Sequence, residues 1–261
     1  MRALKIAATG MSAQQMRVET ISNNLSNMST TGYNARRAEF ADLHYQQLSR
    51  AGTVNAANGT VLPTGVQLGL GVRPAAVSIQ LAQGGLSATG GDLDVAIDGL
   101  GFLEVTLPNG QAAYTRDGGL KRTGEGLIVT SDGHPVAPEI VIPQDSRNIS
   151  INADGEVYAY FQDNAAGQLL GQFNLTGFSN AKGLEALGSD LFSETEASGP
   201  PIVSTPGLDG LGTLRQGYLE DSSVDAVREI TELIEAQRGY EMNAKVISAA
   251  DQMMGATTQV R

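Results

Sequence analysis

Apolar residues recur along this chain with two different periods, and the period changes twice. Near the N-terminus one seven-residue series reads Leu4, Met11, Val18 and Leu25, and a second reads Ala7, Gln14, Ile21 and Met28. Interleaved, the two series trace the narrow stripe of a helix that pairs with another helix, with Gln14 as the one polar member. Gly32, after Ser29-Thr30-Thr31, is a natural stop. At the other end Leu233, Tyr240, Ile247 and Met254 again recur at seven, with Ile230, Ala236, Ala244 and Ala250 beside them. Ser222 and Asp225 can each satisfy an orphan backbone N–H, which predicts a capped helix from about 224 to 258, roughly 50 Å long. Gly239 inside it costs about 1 kcal/mol relative to alanine.

Between these ends the period is two. Val66, Leu68, Leu70 and Val72 alternate, as do Leu93-Val95-Ile97, Leu103-Val105-Leu107 and Ile149-Ile151. Asn58-Gly59, Asn109-Gly110, Asp117-Gly118-Gly119, Asp132-Gly133 and Asp154-Gly155 punctuate the strands. Such pairs accept the positive φ of tight hairpin turns, so antiparallel hairpins are predicted in place of βαβ units. Thr53-Val54 and Thr60-Val61-Leu62, either side of Asn58-Gly59, suggest one long hairpin within 46–74; the alternative is a disordered loop. The expected fold is α+β, with paired, coiled-coil-like N- and C-terminal helices and a mainly antiparallel β body. Its expected divisions are an N-terminal helix in 1–33, a linking β region with the long hairpin in 34–83, an outer β domain in 84–221 and a C-terminal helix in 222–261.

Composition narrows the functions open to such a chain. Its 261 residues carry 17 Lys and Arg against 28 Asp and Glu, a net charge of −11, which argues against nucleic acid as a partner. The charge is uneven: +3 over residues 1–50, −12 over 51–222 and −2 over 223–261. An acidic β body between nearly balanced ends suits a solvated outside and an assembling inside, although solubility alone accounts for it equally well. No run approaches the roughly 18 apolar residues of a membrane span, and Ile6-Ala7-Ala8 is too short for a secretory signal. Direct membrane insertion is therefore not expected.

Candidate chemistry is sparse. Cysteine is absent, removing disulfides, thiolate metal sites and cysteine nucleophiles, and the only histidines are His44 and His134. Asp92, Asp94 and Asp98 lack the glycine and terminal glutamate of a calcium loop and read as the solvent face of a strand. Ser179-Asn180-Ala181-Lys182 matches a short catalytic pattern without its companion motifs. No catalytic constellation is found; no enzyme, metal or cofactor is expected.

Two terminal segments carry a resemblance. Ile21-Ser22-Asn23-Asn24-Leu25-Ser26-Asn27, followed by Thr31-Gly32-Tyr33, is similar to the N-terminal signature of the bacterial flagellar rod and hook proteins. Gln237-Arg238-Gly239-Tyr240-Glu241-Met242-Asn243-Ala244-Lys245 resembles their C-terminal signature, with Gly239 where alanine is usual. Gly101-Phe102, Tyr114-Thr115-Arg116-Asp117-Gly118 and Gln216-Gly217-Tyr218-Leu219-Glu220 extend the resemblance through the middle. The stretch from Leu62 to Val72 is most similar to the distal-rod members.

The resemblance implies a structural subunit of the distal rod that polymerises with its own kind into a hollow shaft crossing the periplasm and transmitting torque to the hook. It implies secretion through the flagellar type III export apparatus without a cleaved signal. Implied partners are other copies, proximal-rod proteins, hook-side proteins and the outer rings of the basal body. The helical ends would form the inner tube. Leu4, Met11, Val18, Ile21, Leu25, Met28, Ile230, Leu233, Tyr240, Ile247 and Met254 are the expected assembly residues, beside the motif residues Asn23, Asn24, Gly32, Tyr33, Gln237, Arg238, Glu241, Asn243 and Lys245. A proximal-rod or hook subunit of the same family, or a secreted coiled-coil adhesin, are the alternatives.

Overall fold

The computed structural model describes residues 2–50, 64–162 and 164–259. Two helices, α1 (Arg2–Ser26) and α2 (Ala226–Gln259), bracket a chain that is otherwise almost entirely short β strands. Residues group into two compact units. One comprises α1, α2 and the described part of Arg36–Ser78, and the other Ser26–Ala35 with Ile79–Asp225. No helix among the described residues is long and apolar enough to cross a membrane.

In the first unit the strand Arg36–Asp42 pairs with Val72–Ile79, and Tyr45–Ser49 runs antiparallel to Val66–Gly69 with Gln46 opposite Leu68. The Asn58-Gly59 turn, with Thr53-Val54 and Thr60-Val61-Leu62, lies outside the described residues. The alternation from Val66 to Val72 is not one strand. It breaks at Gly71, whose φ of +115° turns the chain out of one ribbon and into the other. A β-carbon on Gly71 would also collide with the Thr9 hydroxyl, so a glycine is needed there on both counts. α2 starts at Ala226, later than the Ser222 cap predicts. The Ser222 hydroxyl accepts instead from the Val224 N–H, at 3.4 Å, in the approach to the helix.

The second unit is a set of small antiparallel sheets wrapped around one core. Leu103–Thr106 and Ala112–Thr115 form a hairpin through Asn109-Gly110, extended by Leu191–Ser193 and Glu185–Gly188 into a four-stranded sheet. Ser146–Ile151, Glu156–Phe161 and Asn164–Gln172 make a three-stranded meander, turning first at Asp154-Gly155. Val95–Asp98 pairs with Thr213–Gln216. Here the predicted alternation fails: Val95, Ala96 and Ile97 are all buried, and Asp98 alone in the strand is exposed. Val95, Ile97, Leu103, Val105, Ile128, Ile142, Val157, Phe173 and Leu175 form the main core. A smaller cluster joins Phe102, Tyr114 and Phe192 to Phe178, and the Phe102 ring meets Phe178 and Phe192 edge-on at 6.0 and 5.8 Å.

Candidate functional site

The two helices meet through polar side chains set against glycines. A β-carbon at Gly10 would stand 2.9 Å from the Asn243 Nδ2, so Asn243 of α2 lies in the notch that Gly10 leaves in α1. Reciprocally, Gln14 of α1 lies over Gly239 of α2. Further along, Arg17 binds Glu232 at 3.3 Å and approaches Glu235 at 3.7 Å, and Asn24 hydrogen-bonds Glu229. Numbers rise on one helix as they fall on the other, so these contacts run antiparallel.

The expected seam residues divide into three groups on this frame. Ile21 is buried; Leu4, Met11, Val18, Leu25, Leu233, Ile247 and Met254 are half-buried; Met28, Ile230 and Tyr240 are exposed. The deepest positions of α2 are not the large residues but Ala236 and Ala250, at 0% and 7% exposure. Of the motif residues, Asn23, Gln237, Arg238, Glu241 and Lys245 are exposed, whereas Asn24 is 1% exposed.

Asn24, in the last turn of α1, acts as a strand partner to Arg36. Its Nδ2 donates to the Arg36 carbonyl at 2.8 Å, and its Oδ1 accepts from the Arg36 N–H at 2.9 Å. An aspartate could accept but not donate there, and a leucine could do neither. Glu229, which also meets Asn24, is pushed above the ordinary carboxylate range by burial, which the Asn24 hydrogen bond only partly offsets. Burial opposes ionisation of Glu232 too, but hydrogen bonds from Arg17 and Arg228 prevail and hold it below that range.

In the β body the middle motifs converge on one buried ion pair. Arg116 Nη2 lies 2.8 Å from Glu220 Oε2, with both side chains under a tenth exposed. Arg116 also donates to the carbonyls of Gly101 and Gly99, at 2.9 and 3.0 Å. The other Glu220 oxygen accepts from the Gly84 N–H at 3.0 Å. Gly32 closes the node from above: its N–H donates to the Glu220 carbonyl at 2.8 Å, its φ is +70°, and a β-carbon would stand 2.9 Å from the Arg116 carbonyl carbon. Beside it Ser223 N–H donates to the Tyr33 carbonyl, and the Ala35 N–H to the Ser223 hydroxyl. Sequence reading found Gly32, Arg116 and Glu220 as motif letters and missed that they form one node. Two oppositely charged residues, each in a glycine-rich motif, were the available signal.

Family models match three stretches: "Flagella basal body rod protein" over residues 4–34, "Flagellar hook protein FlgE/F/G D1 domain" over 96–159, and "Flagellar basal body rod FlgEFG protein C-terminal" over 215–260. The chain is 49% identical to the flagellar basal-body rod protein FlgG of Caulobacter vibrioides across the whole of both chains. It is 44% identical to the FlgG of Borreliella burgdorferi, over all of this chain and 99% of the other. The flagellar hook-basal body complex protein FlhP of Bacillus subtilis is 34% identical over the full length of both.

Proposed function

The chain belongs to the family of flagellar basal-body rod proteins, and from that premise we propose that it polymerises with copies of itself into the distal rod, a hollow shaft carrying torque from motor to hook. The family is structural and not enzymatic, and its place is the flagellar basal body.

One observation carries the polymer reading. α2 leaves large apolar side chains uncovered beyond the small ones it buries. Ala236 and Ala250 are buried, while Val227, Ile230, Ile234, Met242, Val246 and Met253 stand 45–76% exposed over a broad arc of the remaining surface. Apolar side chains left so exposed call for a partner, and a helical tube of copies supplies it. On this reading α1 and α2 pair as a short coiled coil lining the inner tube, with 34–83 as linker and 84–221 facing outward. Proximal-rod proteins would adjoin it below, hook-side proteins above and the outer rings around it. The chain would reach this place through the flagellar type III export apparatus.

Negative-stain electron microscopy of the purified chain at rising concentration tests this directly. Hollow rods are expected above a critical concentration. Monomers or closed dimers at every concentration would refute it.

A further inference from the structure

The segment 212–223, just ahead of α2, ties together parts of the β body that lie far apart in sequence. Its strand Thr213–Gln216 pairs with Val95–Asp98, and its strand Tyr218–Glu220 with Leu86–Ala88. Neither of those early strands pairs with another strand among the described residues. Leu214 is buried in the main core, and its N–H donates to the Ala153 carbonyl at the first turn of the meander. The Gln216 side chain reaches further. Its Nε2 donates to the Asp92 and Ile149 carbonyls at 2.7 and 2.8 Å, and its Oε1 accepts from the Ile151 N–H at 2.9 Å. Glu220 supplies the counter-charge to Arg116 and an acceptor for the Gly84 N–H.

A body lacking this segment would carry three faults. Val95–Asp98 and Leu86–Ala88 would lose their ladders, the Asp92 and Ala153 carbonyls would lose their Gln216 and Leu214 donors, and Arg116 would be a buried cation without its carboxylate. Each fault favours opening the core to water. All three are repaired late in the order of the chain. Glu220 lies 136 positions after Gly84 and 104 after Arg116, and the entropy of closing so long a loop is lost before the contacts return anything. Because a chain is made from its N-terminus, Gly84, Val95–Asp98 and Arg116 exist long before their partners.

We infer that residues 212–223 are a strap that closes the β body, and that the chain stays open until they are in place. The hairpin Leu103–Thr115 and the meander have local turns and form within the open chain; the strap controls their gathering into one core. An unfinished chain is thereby kept from burying Val95 and Ile97, and it closes only when the body is complete. The device acts within one molecule and does not depend on polymerisation. The strap follows the exposed turn Gly207–Gly210, where it can be cut free without touching the core.

Two measurements test this, the first on the unaltered full-length chain. By native-state amide exchange the bonded N–H groups of Thr213–Glu220 should exchange no faster than those of Leu103–Thr106. Fast exchange in the strap beside a core that stays protected would overturn the inference. The second inserts a specific protease site between Asp209 and Gly210, in the full-length chain, at a turn suited to insertion. Once nicked, the protein should keep its β signal and its resistance to a general protease, since every contact survives the cut. Separating the piece 210–261 in urea and returning the remainder to buffer should abolish that resistance. A synthetic peptide spanning residues 211–225 should restore it, and the same peptide with Gln216→Ala and Glu220→Gln should not. A remainder that is resistant without the strap, or no recovery with the unsubstituted peptide, or equal recovery with the substituted one, would each overturn the inference.

Discussion

The carboxamide carbon of Gln14 lies 3.1 Å from where a β-carbon would stand on Gly239. The carboxamide is the end of a flexible side chain, and its Oε1 is buried without a hydrogen-bond partner among the described residues. No hydrogen bond holds that oxygen against a small shift, whereas glycine costs the middle of α2 about 1 kcal/mol of helix stability. Gly239→Ala should raise the thermal midpoint of the helical signal, the stability gain being under about 1 kcal/mol. A lowered midpoint would show that Gln14 is held where it stands.

Asn24 gives a sharper prediction. Replacing it by aspartate keeps the acceptor for the Arg36 N–H but leaves the Arg36 carbonyl unpartnered and sets a carboxylate beside Glu229. Loss of about 2–4 kcal/mol is expected from the orphaned carbonyl and the like charge together. Amide exchange should locate the loss at the end of α1 and the start of Arg36–Asp42.

Glu229 supplies a pH dependence whose sign follows from burial. Its carboxyl is pushed above the ordinary range, so the folded chain binds that proton more tightly than the unfolded chain. Stability is then fully present at pH below the ordinary carboxylate value, falls as pH climbs through the raised one, and stays reduced at neutrality. Glu229→Gln should raise the thermal midpoint at pH 7 and leave it nearly unchanged at pH 3. The Glu232 carboxylate, which also pushes Glu229 upward, loses a like-charged neighbour in the variant at pH 7, a gain of the same sign.

For the buried node, Arg116→Met leaves Glu220 a charge without a counterpart in the β body. Removing one member of such a pair costs about 3–5 kcal/mol. The double variant Arg116→Met/Glu220→Leu should recover much of this, since no isolated charge remains. Urea unfolding followed by the β signal measures both, and equal losses in single and double variants would mean that the two residues are not coupled.

Gly32→Ala probes the same node from its backbone. The substitution meets both a φ of +70° and the Arg116 carbonyl carbon at 2.9 Å, so a loss of at least about 1–3 kcal/mol is expected. Gly110→Ala is the control: Gly110 also has positive φ but open space around it. It should cost less.

Both helices and several turns of the body were legible because each rests on a local rule. Seven-residue repeats report helices at any depth, and Asn109-Gly110 and Asp154-Gly155 sit in turns because positive φ has few other hosts. Depth within the helix pair was not legible: Ala236 and Ala250 lie deeper than Leu233 and Ile247 because small side chains let backbones approach. Nor was the break at Gly71, since alternation on either side continues through a glycine unchanged. The Arg116–Glu220 pair spans 104 residues of sequence, and no local rule reaches that far.

The hydrogen bonds joining 32–35 to 220–223 have an architectural consequence. The Ala35 N–H and Ser223 hydroxyl are partners across 188 positions of sequence, so the chain enters and leaves the β body at neighbouring points. Topologically the body is an interposed cassette with a single doorway. A cassette of another size could be spliced through that doorway without changing the spacing of its two threads. In the proposed shaft, exchanging the cassette would then alter outer girth and texture and leave the bore alike.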